Sequence, residues 1–191
     1  MLKEIVKKNR SYRRFYENVV IERETLEELV DLARLSPSGG NKQALKFFIS
    51  CEPEMNAKIF PNTFWAGYLK DWPGPEEGER PSGYIIILED KEIGMMNPRV
   101  DFGIAAQTIL LGATEQGLGG CMIGIFKKKE LMELLNISEE KYDILLIVAI
   151  GKPKEEVVID EVGPDGDIKY WRDENQVHHV PKRALKDLII G

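Results

Sequence analysis

The chain has 191 residues, 43% of them hydrophobic and 30% charged, with a formal net charge of −6. That length and apolar content suit a single domain over 1–191 with a real core, carrying at most an appended arm. The acidic balance excludes nucleic acid as the general partner, and no apolar run approaches the ~18–20 residues of a bilayer span.

Periodicity predicts a first helix over 3–9, with Leu2, Ile5 and Val6 as its apolar stripe. It runs into Asn9-Arg10-Ser11-Tyr12-Arg13-Arg14-Phe15, where three guanidinium groups and a hydroxyl share one turn of backbone. Like charges this close repel unless an anion lies between them, and Arg is the side chain best shaped for phosphate. Read alone, these residues fit equally well a solvated basic turn paired with Glu17, Glu22 and Glu24. A second helix is predicted from Thr25, where Thr25 and Glu28 have capping-box spacing and Leu26, Leu29, Val30 and Ala33 form a core stripe. Ser36-Pro37-Ser38-Gly39-Gly40-Asn41 stops it with turn chemistry. A strand over 45–51 and a short helix over 55–60 lead into an irregular segment, 61–83, holding Phe64, Trp65, Tyr68 and Trp72. The run 84–88 is a continuous apolar strand, buried on both faces. A Gly- and Ala-rich helix over 101–116, a strand over 119–126, a helix over 129–135 and the most apolar strand, 142–150, follow. Gly151-Lys152-Pro153 ends that strand, and 154–191 reads as a polar arm finishing on Leu185, Leu188, Ile189 and Ile190. The pattern lacks a clean βαβ rhythm and predicts an α+β fold, a mixed or antiparallel sheet flanked by helices.

Several segments could carry chemistry. In Ser38-Gly39-Gly40-Asn41-Lys42-Gln43 the glycines admit close backbone approach, while Ser38, Asn41 and Gln43 offer donors and acceptors to a heterocycle's edge. A helix C-cap followed by a polar loop explains the same residues, and no P-loop is present. Gly117-Leu118-Gly119-Gly120 running into Ile123-Gly124 is not a dinucleotide fingerprint; it reads as a tight turn into a strand, with Gly124 able to present its backbone to a flat ring. Lys182 and Arg183 could close an anion site from the far end of the chain, or belong to a solvated tail. Cys51 and Cys121 make no metal or redox spacing, and Met1-Leu2-Lys3-Glu4 has no apolar signal region, so a cytoplasmic location is expected. His178 and His179 point to opposite faces if they lie in a strand, and no metal site is expected.

Taken in order, Arg10-Ser11-Tyr12-Arg13-Arg14-Phe15, the 36–43 loop, Asp101-Phe102-Gly103-Ile104-Ala105-Ala106-Gln107, Gly117-Leu118-Gly119 with Ile123-Gly124, and Gly151-Lys152-Pro153 resemble the nitroreductase family of FMN-dependent NAD(P)H oxidoreductases. The resemblance implies FMN bound at a homodimer interface, with a C-terminal arm exchanged between subunits. Arg10, Ser11 and Arg14 are then expected near phosphate and ribityl, and Arg13 near N1 and O2 of the ring. Ser38, Asn41 and Gln43 would face the flavin, Ile123 and Gly124 would approach N5, and Lys182 and Arg183 would return to the phosphate. Hydride would pass from NADH or NADPH to flavin N5 and on to a small acceptor (nitroaromatic, quinone or flavin-like), with no catalytic side chain required. A non-catalytic FMN-binding dimer, for storage or sensing, is the alternative. The chain departs from the family at Ala44-Leu45, where Pro-Trp is usual, and over 61–83, the variable substrate-covering segment. Small residues at Gly103, Ala105, Ala106, Gly112 and Ala113 suggest a helix that another helix, of a partner or of the same subunit, could approach closely.

Overall fold

The computed structural model describes residues 1–191. In chain order its elements are α1 (Leu2–Lys8), α2 (Arg23–Arg34), β1 (Leu45–Ser50), α3 (Pro53–Ile59), β2 (Gly83–Asp90), α4 (Pro98–Glu115), β3 (Gly119–Ile123), α5 (Lys128–Leu134), β4 (Tyr142–Gly151), β5 (Val157–Glu161), β6 (Trp171–Arg172) and β7 (His178–Lys182). The central sheet is wholly antiparallel, in the order β1-β2-β4-β3. Strands β2 and β4 read as unbroken apolar runs because both of their faces are covered. On one face Ile85, Ile87, Leu146, Val148 and Ile150 pack with residues of α2 and α4. On the other, Tyr84, Ile86, Ile144, Ile147 and Ala149 pack with Phe15, Ile59 and Leu131. Burying each such isoleucine contributes ~1.5–3 kcal/mol. The register steps from Ile87↔Leu146 to Leu88↔Ile144, which leaves Leu145 as a bulge and changes the parity of β4. Ile144 and Ile147 therefore share a face that strict alternation would deny them. The whole is the α+β arrangement the sequence pattern predicts.

Three details differ from that pattern. Helix α2 starts earlier, after Glu22, so Thr25 lies inside its first turn and makes no capping bond. The small residues of α4 seat α2 of the same chain: a Cβ added at Gly112 would lie 2.5 Å from Leu32 Cδ1, and Ala105, Ala106 and Ala113 are buried in that same core. Finally, 154–191 holds a second sheet, in the order β5-β7-β6, with β5 parallel to β7. Beyond it Leu185, Leu188, Ile189 and Ile190 are exposed.

Candidate functional site

The basic turn after α1 is held by backbone. Tyr12 N donates to Gly120 O at 3.0 Å, Tyr16 N to Lys152 O at 2.8 Å, and Lys154 N to Arg14 O at 3.0 Å, so 11–16 is stitched between β3 and the end of β4. This close approach needs a glycine at position 119, since a Cβ there would sit 2.5 Å from Tyr12 Cδ2 and 2.7 Å from Pro153 Cγ. Arg10, Ser11 and Arg13 thereby line a cavity of about 400 Å³, closed from the other side by Lys182 and bordered by Gln107 of α4. Three cations and no carboxylate line it, in a chain whose net charge is −6. Arg10 donates from Nη2 to Val6 O at 2.8 Å, while its Nε is buried with no partner. A smaller hollow of about 250 Å³, beside α3, is bordered by Glu17, Glu22 and Glu52 against Arg80 alone, and has the wrong charge for an anion.

Arg13 sits in a built cradle. Its Nη1 donates to His178 Nε2 at 3.1 Å and to Ser11 O at 3.2 Å, and its guanidinium lies over the Tyr170 ring, 4.6 Å from the centroid. Its backbone N–H donates to the buried Glu155 carboxylate, which also accepts from Arg172 Nη2 at 2.9 Å. Burial, reinforced by the positive charges of Arg13, Arg172 and His179, lowers the pKa of His178 to about 4, so its imidazole is neutral at physiological pH. Arg14 points elsewhere. It forms a two-pronged ion pair with Glu79, which Lys154 joins at 2.8 Å, and it does not line the cavity. The Arg14 hydrogen bonds, with help from Lys154, hold the Glu79 pKa down at about 2.

The polar loop lies apart from this cavity. Gly39 N donates to the buried Asp101 carboxylate at 2.9 Å, and Ser38 Oγ accepts from Gln43 N at 3.2 Å. Asn41 and Gln43 both take φ 52°, left-handed backbone that costs a non-glycine residue ~1–3 kcal/mol and is retained where the surroundings enforce it. Ser38 and Gln43 line a separate hollow of about 150 Å³ with Asp101, so one chain does not bring the loop and the arginines together. Ile123 is buried in the core, and the Cβ position of Gly124 meets nothing within 4 Å. Arg183 is exposed and lies outside the cavity lining.

The family profile described as "Nitroreductase family" matches residues 6–152. The chain belongs to the nitroreductase family. Among its relatives, the protein provisionally named NAD(P)H nitroreductase YodC of Bacillus subtilis is 25% identical, over 78% of this chain and 88% of its own. A solved FMN-dependent nitroreductase of Clostridium difficile R20291 superposes with a TM-score of 0.60 at 28% identity, covering 80% of this chain and 87% of that one. A nitroreductase structure from Exiguobacterium sibiricum, in complex with FMN, shares the fold with a TM-score of 0.65 at 22% identity, covering 81% and 89%.

For a nitroreductase-family chain, sequence reasoning missed the residues around Arg13: Glu155, Tyr170, Arg172 and His178. One signal was available. His178, Val180 and Lys182 alternate along a strand, so a lysine placed at the anion site brings His178 to the same face. The adjacent His179 does turn the other way, stacking on Trp171 with ring centroids 4.2 Å apart. No helix is long and apolar enough to cross a membrane.

Proposed function

We propose that this protein is a cytoplasmic FMN-dependent oxidoreductase that takes hydride from NADH or NADPH and passes electrons to a small acceptor such as a nitroaromatic, a quinone or a flavin. The observation that carries the reading is the buried, unpartnered Arg10 Nε, beside a cavity lined by three cations and no carboxylate. A buried charged donor left unpaired costs at least ~1–3 kcal/mol, and a phosphate oxygen is the acceptor that removes the cost. The residues present fit a single compact phosphate and not a dinucleotide. FMN, when bound, supplies the redox chemistry by accepting hydride at N5.

The chain's own residues bind and tune that group. Arg10, Ser11 and Lys182 hold phosphate and ribityl, with Arg183 at the rim. Arg13 keeps its Nε and Nη2 groups free of intrachain bonds and turns its charge toward N1 and O2, where fixed positive charge in a dry site favours the reduced form. Gly124 offers open space for the ring at the end of β3. Arg14 braces the backbone through Glu79 and has no ligand role. Ser38, Asn41 and Gln43 do not line this cavity, so they meet the flavin from a second copy of the chain, which makes the active unit a homodimer. The exposed apolar tail at 185–190 supports the same assembly. Segment 61–83 covers the site: Phe64 N donates to Ile125 O at 3.1 Å beside Gly124, and Tyr68 packs on Tyr170.

The test is to release the ligand of the purified protein by denaturation, identify it by chromatography, and mix the intact protein with NADH or NADPH without oxygen. FMN whose absorbance bleaches is expected. FAD, or no flavin after incubation with FMN, overturns the cofactor, whereas FMN that stays oxidised with both nucleotides leaves a storage or sensing dimer.

A further inference from the structure

His178 has an odd position for a structural residue. It is fully buried, yet its Nδ1 finds no partner anywhere in the chain. The bond to Arg13 requires Nε2 to be the acceptor, because a guanidinium only donates; the neutral ring must then carry its proton on Nδ1. The imidazole thus hides an unpaired N–H in order to make one hydrogen bond. A phenyl ring of similar shape would fill the space without that penalty, since Tyr170 already packs on this ring with centroids 5.2 Å apart. The side chain's only polar contact is with Arg13.

We propose that His178 is a positioning residue for Arg13. Tyr170 fixes the plane of the guanidinium and His178 fixes its rotation within that plane. Together they occupy one face and one Nη1 proton, leaving Nε and Nη2 for a ligand in the cavity. The C-terminal sheet, through β7 and the residue before β6, therefore sets the orientation of an arginine supplied by the N-terminal turn. This rests on the placement of Arg13 beside the flavin's N1 and O2, and the test separates the two ideas.

The experiment measures dissociation constants of oxidised and dithionite-reduced FMN for the wild type, Arg13→Ala, His178→Phe and His178→Gln, with thermal melts of each. Arg13→Ala is expected to lower the preference for reduced over oxidised FMN. His178→Phe should lower it about tenfold, the worth of one hydrogen bond to a charged group. It should melt no lower than the wild type, because it removes an unpaired donor. His178→Gln, whose carbonyl oxygen can accept from Arg13, should restore most of the preference. An Arg13→Ala protein with unchanged preference overturns the placement of Arg13 itself. If Arg13→Ala shifts the preference while His178→Phe does not, the positioning role fails alone. A His178→Phe protein that melts well below the wild type, or a Gln variant no better than Phe, assigns His178 to packing and likewise overturns the proposal.

Discussion

The two sheets of this molecule are held together by different physics. The central sheet buries isoleucine, leucine and valine on both faces, and its energy is spread over many interchangeable contacts. The C-terminal sheet has only short strands, partly exposed, and depends on a few polar groups: Glu155 between Arg13 and Arg172, His178 against Arg13, and Arg172 over the Trp72 ring at 4.3 Å. The first sheet supports the fold, while the second brings Tyr170, His178 and Lys182 to the anion cavity. A diffuse apolar core tolerates change. A sparse polar network fails when the partner of a buried charge is removed.

The largest expected effect lies just past the second sheet. Truncation before Arg183 removes Leu185, Leu188, Ile189 and Ile190, none of which is buried within its own chain. Dimer and FMN should be lost together while the central sheet stays folded. Light scattering with flavin absorbance and circular dichroism checks this, and a truncated protein that remains dimeric and fully flavinated would show that the tail does neither job. Next comes Glu155→Ala. It strands Arg172, whose side chain is 10% exposed, and removing one partner of a buried pair costs about 3–5 kcal/mol. Ile147→Val, at the fully buried centre of β4, should cost only about 0.5–1.5 kcal/mol. Denaturant melts of the two variants decide the matter: if Ile147→Val is the worse, the contrast between the sheets is wrong.

The same contrast explains what could be read in the sequence. Strands β2 and β4 and the stripe of α2 announce themselves through Ile85 to Ile87, Ile144 to Ile150, and Leu26, Leu29 and Ala33, because apolar pattern and burial are one phenomenon. Arg10, Ser11, Arg13 and Lys182, which line one cavity, were legible as candidates because clustered positive charge is conspicuous in an acidic chain. The 36–43 loop was legible in composition but not in place: Ser38 and Gln43 face a different hollow, and no local pattern says which chain they serve. Strands β5 to β7 were not legible, since Val157–Glu161 and His178–Lys182 owe their pairing to partners far along the chain and not to alternation. Glu155 was invisible for a related reason. Among 32 acidic residues, nothing local marks Asp90, Asp101 and Glu155 as the ones that are buried.

Acid should unpick the second sheet before the Arg14–Glu79 brace. The folded-state pKa of His178, about 4, lies below the ordinary 6.5 because of burial and the nearby charges of Arg13 and Arg172. A depressed histidine prefers to stay neutral in the folded state, so its contribution is complete above pH 6.5 and is lost as pH falls toward 4. Glu79 follows in a lower window, its contribution complete above pH 4.5 and lost toward pH 2. Stability should therefore fall in two steps on acidification, and His178→Phe should abolish the upper one. Urea melts from pH 7 to 2 check this, and an unchanged slope between pH 7 and 4 in the variant would assign the upper loss to another group.

The smallest expected effect is Lys154→Ala. Lys154 reaches Glu79 Oε1 at 2.8 Å, but its side chain is 38% exposed and Arg14 already holds the same carboxylate through two hydrogen bonds. An exposed ammonium added to a satisfied carboxylate contributes about 0–1 kcal/mol, most of it screened by salt. The loss should shrink further in 1 M salt, and the backbone bond from Lys154 N to Arg14 O survives the substitution. FMN affinity should stay within about twofold, well under the ~1.4 kcal/mol of a tenfold change, because neither Lys154 nor Glu79 lines the cavity. A tenfold loss of FMN binding in Lys154→Ala would mean that Arg14, freed from part of its clamp, governs the anion site after all, and the separation of brace from ligand-binding residue would have to be withdrawn.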